Sequence, residues 1–132
     1  MTVIYPHNAL IVVADGGGAK FFRNTGQGGS LALRAEGELE PSHGPGDSPA
    51  GHRPPGETSK ETHEAAFAKQ LANELYRRAH IADFAALVLI ADPQTLGQIR
   101  PLLHKEVQSR MISDHAKTLT KASIKDIERS LS

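Results

Sequence analysis

Two uninterrupted apolar runs in the sequence predict the centre of a β-sheet. The first covers residues 10–14 and the second covers residues 84–91. Continuous apolar runs of this length are typical of strands that are buried on both faces, as in parallel sheets covered by helices. Asp92 and Pro93 follow the second run and read as the N-cap and first residue of a helix.

The first apolar run continues into a second predicted strand. Asp15 and three glycines form a tight turn, because glycine adopts a positive φ at little steric cost. Residues 19–23 then read as a strand in which Phe21 and Phe22 point to opposite faces. Both faces of the sheet must therefore be covered.

Residues 31–40 alternate between apolar and charged side chains. The pattern predicts a strand with one apolar face, made by Leu31, Leu33, Ala35 and Leu39. Its other face carries charges, which discourage pairing with another sheet and indicate an edge strand. Residues 41–61 have no apolar periodicity and predict a flexible loop.

Helical spacing dominates the rest of the chain. An apolar stripe predicts a helix over 62–80, formed by Phe67, Ala68, Leu71, Ala72, Leu75 and Ala79. Pro101 predicts a break in the helix that starts at Pro93. Residues 111–117 predict a fifth strand, and 123–131 predict a terminal helix with Ile124, Ile127 and Leu131 on one face.

This order of elements predicts one α/β domain over residues 1–132. A right-handed crossover places the fourth strand beside the first, which gives the sheet order 3-2-1-4-5. A mixed five-stranded sheet in this order, with helices on both faces, is the ribonuclease-H-like arrangement.

Composition narrows the location of the protein. The chain has no cysteine, so disulfides and thiolate chemistry are excluded. Residues 1–18 lack a basic segment followed by a long apolar core, so neither a signal peptide nor a membrane span is expected. The expected location is the cytoplasm, with no membrane contact.

Charge is balanced overall but uneven along the chain. Residues 1–65 carry five Lys and Arg against eight Asp and Glu, and residues 66–132 carry ten against seven. The second half could carry a basic surface that binds phosphates or a protein partner. An ordinary solvated surface explains the same residues. The candidate binding residues are Arg100, His104, Lys105, Arg110, Lys117 and Lys121.

Three carboxylates form an alternative, acidic site. Asp15 ends the first strand and Asp92 follows the fourth, while Glu64 lies near the start of the first helix. Such carboxylates could hold the metal ions of a phosphoesterase or nuclease. However, a turn explains Asp15 and a helix cap explains Asp92.

Other polar groups point to no cofactor and no metal. The spacings between His43, His52 and His63 match no metal-binding motif. The six aromatic residues mostly fall at predicted core positions, which argues against a surface for stacking nucleic-acid bases.

The chain resembles the bacterial host attachment protein family, whose members are described as required for attachment to host cells. The resemblance rests on short segments that occur in the same order along the chain, although no single segment is specific. The segments are Val12–Gly16, Ala19–Arg23, Thr62–Glu64, Phe67–Ala72, Leu89–Pro93, Thr95–Gly97, Leu103–Val107, Lys117–Thr120 and Ile127–Glu128.

That family is similar to the central domain of archaeo-eukaryotic peptide chain release factors. The resemblance implies the sheet order predicted above and docking on the ribosome or on RNA. In release factors the loop before the first helix carries a catalytic Gly-Gly-Gln, which the loop from Ser42 onward lacks. The sequence thus favours a non-catalytic binding module whose partner is the ribosome, RNA or a protein.

Overall fold

The computed structural model describes residues 5–27, 30–41 and 59–131, with side chains of the first helix from His63 onward. Five strands form one mixed sheet: β1 (Leu10–Asp15), β2 (Gly18–Asn24), β3 (Leu33–Leu39), β4 (Leu87–Ala91) and β5 (Met111–Ala116). Their order is β3-β2-β1-β4-β5. β1 pairs antiparallel with β2 and parallel with β4. The predicted α/β class and sheet order are confirmed.

Helices follow the strands as the periodicity predicts. They are α1 (Ser59–His80), α2 (Pro93–Ile99), α3 (Lys105–Gln108) and α4 (Ile124–Leu131). Asp92 caps α2 by accepting a hydrogen bond from the Thr95 backbone at 3.2 Å. The predicted break is confirmed, because Pro101 lies in a 3₁₀ turn after α2. α1 begins three residues earlier than predicted, and most of the loop predicted before it lies outside the described residues.

The two faces of the sheet are covered by different helices. On the first, which we call the helical face, the buried stripe of α1 packs with residues of α2 and α3, including Leu96 and Val107. On the second, the α4 face, Ile127 and Leu131 pack with Tyr5. The predicted placement of helices on both faces is confirmed. Ile124, which the pattern places on the same helix face as Ile127 and Leu131, is 36% exposed.

A β-bulge in β3 changes which way its side chains point. Phe22 pairs with Ala35 but Phe21 pairs with Gly37, so Glu36 is one extra residue. Gly37 has a φ of 145°, which glycine adopts readily. After one extra residue, the alternation of side chains is reversed.

The single apolar face predicted for β3 is therefore wrong. Leu33 packs in the cluster of the α4 face. Leu39 pairs with Ala19 and packs against the cluster of the helical face.

Glu36, the extra residue of the bulge, forms an ion pair with a buried arginine. Arg23 is 8% exposed, and its Nε and Nη2 donate to the Glu36 carboxylate at 2.9 Å. Nη2 also lies 2.9 Å from Asp83 Oδ2, and Nη1 donates to the backbone carbonyl of Asn8. These hydrogen bonds, chiefly those to Glu36, raise the pKa of Arg23. The network joins β3 to the segment that leads into β4.

Candidate functional site

The six predicted basic-surface residues do not form one patch. Arg110 precedes β5, where its Nη1 donates to the Phe84 carbonyl at 2.9 Å and its Nη2 lies 3.9 Å from Glu106. Lys117 follows β5 at the other end of the strand, and its Nζ donates to Ser130 Oγ at 2.9 Å. A strand of this length spans about 20 Å. Arg110 and Lys117 therefore face different surroundings.

Arg100 and His104 lie in the short connection between α2 and α3, and Lys105 is the first residue of α3. Arg100 is an exposed ion-pair partner of Asp114, with Nη2 and Oδ2 3.1 Å apart. His104 is the N-cap of α3, because its Nδ1 accepts a hydrogen bond from the Glu106 backbone at 3.0 Å. Lys105 is exposed beside it. These three residues form the part of the predicted surface that stays together.

This connection packs against aromatic side chains of α1. The His104 ring stacks on Tyr76, with centroids 4.1 Å apart and planes inclined by 29°. Tyr76 also contacts His80 on the next turn, at 5.9 Å between centroids. We name Tyr76, His80 and His104 the aromatic platform. Its tyrosine is 37% exposed and its two histidines are exposed.

Arginines neutralise the carboxylate nearest to the platform along α1. Arg77 and Arg78 both donate to Glu74, at 2.8 and 2.7 Å. These hydrogen bonds, with that of Arg77 first, lower the pKa of Glu74 although burial opposes the shift. The Arg77 side chain is itself 60% exposed. The surface around Tyr76 therefore carries cations, and the Glu74 carboxylate there is already paired with arginine.

Lys121 lies elsewhere, in a cleft at the carboxyl end of β1. The cleft has a volume of about 280 Å³ and is lined by Asp15, Gly17, Gly18, Ala19, Lys20, Glu38, Leu39, Glu40, Thr120 and Lys121. It holds two ammonium groups and three carboxylates. Because the charges are mixed, the cleft does not extend the basic surface.

The residues of the alternative acidic site hold local structure. Asp15 Oδ1 accepts from the Gly17 backbone at 2.7 Å, and Oδ2 accepts from the Thr120 hydroxyl at 2.8 Å. Glu64 lies over Gly16, so closely that a Cβ on this glycine would collide with its carboxylate. Asp92 caps α2 through one oxygen, while Oδ1 is buried with no hydrogen-bond partner. The turn and the cap explain Asp15 and Asp92.

No metal centre emerges from the residues that the structure describes. Across 5–27, 30–41 and 59–131, no three His, Asp or Glu side chains are grouped so that they could hold a metal ion. His63 is exposed on α1, whereas His43 and His52 lie outside the described residues. The described residues therefore offer no metal site for a phosphoesterase or nuclease. In the same ranges, no helix is both long and apolar enough to cross a membrane.

Sequence reasoning missed Tyr76 and His80. Five of the six aromatic residues are buried as expected, and Tyr76 is the exception. It lies four residues after Ala72 of the apolar stripe, so the pattern places it beside the core. The spacing of four residues between Tyr76 and His80 was the available signal, because side chains at that spacing on a helix are neighbours.

Comparison with known proteins supports the release-factor part of the resemblance. No curated protein matches the chain. The host-attachment part of the resemblance stays a prediction. The sequence does match one family, described as bacterial archaeo-eukaryotic release factor family 12, over residues 8–131. Since this match spans nearly all of its length, the chain belongs to that family.

Proposed function

We propose that this protein is a translation-associated binding module that contacts RNA of the ribosome. The observation that carries the proposal is the family match over residues 8–131. The match covers the whole sheet and all four helices, which supports a role related to that of the release-factor domain. The proposal concerns binding and not peptide release.

The sequence supports a binding role without ester hydrolysis. The segment that corresponds to the catalytic loop of release factors contains no Gly-Gly-Gln. Asp15 and Asp92, the strongest acidic candidates, are engaged in a turn and a helix cap. A module that binds where a release factor binds, and performs no hydrolysis, fits both observations.

The contact surface that we assign to this role lies around the connection between α2 and α3. Arg100, His104 and Lys105 are exposed there, next to the aromatic platform. Lysine and arginine contacts to phosphates provide affinity that falls steeply with salt. The remaining basic candidates lie at the ends of β5 or in the mixed-charge cleft.

Co-sedimentation with ribosomes tests the proposal. We expect the protein in the ribosomal fraction at low salt and its release at high salt. Lys105→Glu should reduce the bound fraction several-fold, because it places a carboxylate next to phosphates. Lys69→Glu makes the same charge change on the exposed side of α1 and should leave binding unchanged. Absence from the ribosomal fraction at low salt would refute the proposal.

A second experiment separates an RNA partner from a protein partner. Affinity purification from the native cell, with and without nuclease, should recover ribosomal components only when RNA is intact. A host-attachment role would be an indirect consequence of such binding. A deletion strain that attaches normally would remove the host-attachment role and leave the binding role untouched.

A further inference from the structure

The packing of the fold does not require the exposed aromatic platform. We infer that Tyr76, His80 and His104 bind an unpaired base of RNA by stacking. This inference rests on the proposed function and names the group on RNA that the protein would contact. Successive aromatic rings are the usual means by which proteins hold unpaired bases, because every base has a flat face.

The rings of the platform are held in place before any ligand binds. The residues on either side of Tyr76 along the buried stripe, Leu75 and Ala79, are fully buried and fix α1 on the sheet. The His104 ring is oriented by the hydrogen bond that its Nδ1 accepts from the Glu106 backbone. Side chains that are already ordered lose little entropy on binding. The platform is therefore suited to a small, flat ligand.

Charge around the platform favours RNA over a protein partner. Arg77 follows Tyr76 on α1 and Lys105 follows His104 at the start of α3, and both side chains are exposed. The nearby carboxylates have arginine partners, Glu74 with Arg77 and Glu106 with Arg110. A stacked base carries a phosphate on each side, so exposed cations that neighbour the rings along the chain favour its binding.

The stacking geometry also selects single strands. In a duplex, the base faces are covered by neighbouring base pairs, so only a loop, bulge or end can offer a free face. Tyr76 is 37% exposed although the His104 ring stacks on it, so part of its surface is open to a ligand. We therefore expect the platform to bind unpaired RNA more tightly than duplex RNA.

Titration of the full chain with fluorescently labelled RNA tests the inference. The probes are a short oligouridine and a short RNA duplex, and the readout is anisotropy. Tyr76→Leu removes the ring but keeps an apolar side chain. His104→Asn removes the other ring but keeps an acceptor that asparagine provides well at an N-cap. Tyr76→Phe is the matched control, because it retains the ring.

We expect the oligouridine to bind more tightly than the duplex. Tyr76→Leu and His104→Asn should each weaken oligouridine binding about tenfold, whereas Tyr76→Phe should retain it. Equal affinity of the wild type and Tyr76→Leu for oligouridine would overturn the inference and leave the proposed function standing. If no oligouridine binds but Tyr76→Leu abolishes co-sedimentation, the platform contacts a ribosomal protein and the inference is wrong. If ribosomes and oligouridine both fail to bind, both proposals fall.

Discussion

The two faces of the sheet are built in different ways. The helical face is covered by three helices, and α1 alone contributes a fully buried stripe that includes Phe67, Leu71 and Leu75. The α4 face is covered by one helix of eight residues, from which only Ile127 and Leu131 are buried. Apolar packing holds the first face together, while the second has much less of it.

Polar contacts compensate on the α4 face. The Tyr5 hydroxyl donates to the Leu131 carbonyl at 3.1 Å, and the Leu33 backbone donates to Glu128 at 2.6 Å. Lys117 donates to Ser130. Polar contacts of this kind contribute about 1 kcal/mol each, less than the burial of one large apolar side chain. We therefore expect the helical face to act as the scaffold and α4 to open first.

The largest expected effect comes from weakening the scaffold. Leu71→Ala removes a fully buried side chain between α1 and the sheet. We expect it to lower the free energy of unfolding by about 3–4 kcal/mol, because the neighbours cannot close the cavity. Urea denaturation measures the change. Lys69→Ala, two residues away and exposed, should change stability by less than about 0.5 kcal/mol.

A smaller and more local effect is expected on the α4 face. Ile127→Ala removes the fully buried anchor of α4 and should weaken its docking by about 2 kcal/mol. Hydrogen exchange should then accelerate in α4 and around Leu33, while β1 and β4 keep their protection. Equal loss of protection in all strands would contradict the proposed difference between the faces.

The smallest effect is a pH dependence of the α4 face. His115 pairs with Ile90 of that face, and its Nε2 lies 3.3 Å from Ser113 Oγ. Burial, helped by Lys117 and opposed by Asp114, lowers the pKa of His115 below its usual value near 6.5.

The sign of the dependence follows from the lowered pKa. The folded state prefers neutral His115, so its contribution to stability is complete above about pH 6.5 and is lost as pH falls through the folded pKa. His115→Gln should therefore lose less stability than the wild type between about pH 7 and about pH 5. A stability difference that stays constant over this range would contradict the role of His115.

Most of the fold could be predicted because the signals were local. The apolar runs of β1 and β4, the stripe of α1 and the break at Pro101 each depend on neighbouring residues. The bulge at Glu36 could not be predicted in this way. The pairing of β2 with β3 creates it, and no short window of sequence contains that pairing.

The candidate site was less predictable for the same reason. Charge counts brought six basic residues together, but β5 separates Arg110 from Lys117 by its length. The stacking of His104 on Tyr76 joins two segments that are far apart in sequence. Only the packing of α3 against α1 creates this stacking. Composition therefore predicted a surface for phosphates but not the stacked rings.

The bulge in β3 also decides where the chain goes next. Without Glu36, Leu39 would point toward α4, and the strand would deliver the chain to that side. With it, Leu39 points toward α1, and Gln70 of α1 donates to the Glu40 carbonyl at 2.8 Å. One inserted residue thus decides on which side of the sheet Leu39 and Glu40 leave β3. A deletion of Glu36 would turn Leu39 away from α1 and remove the geometry that brings Glu40 within reach of Gln70.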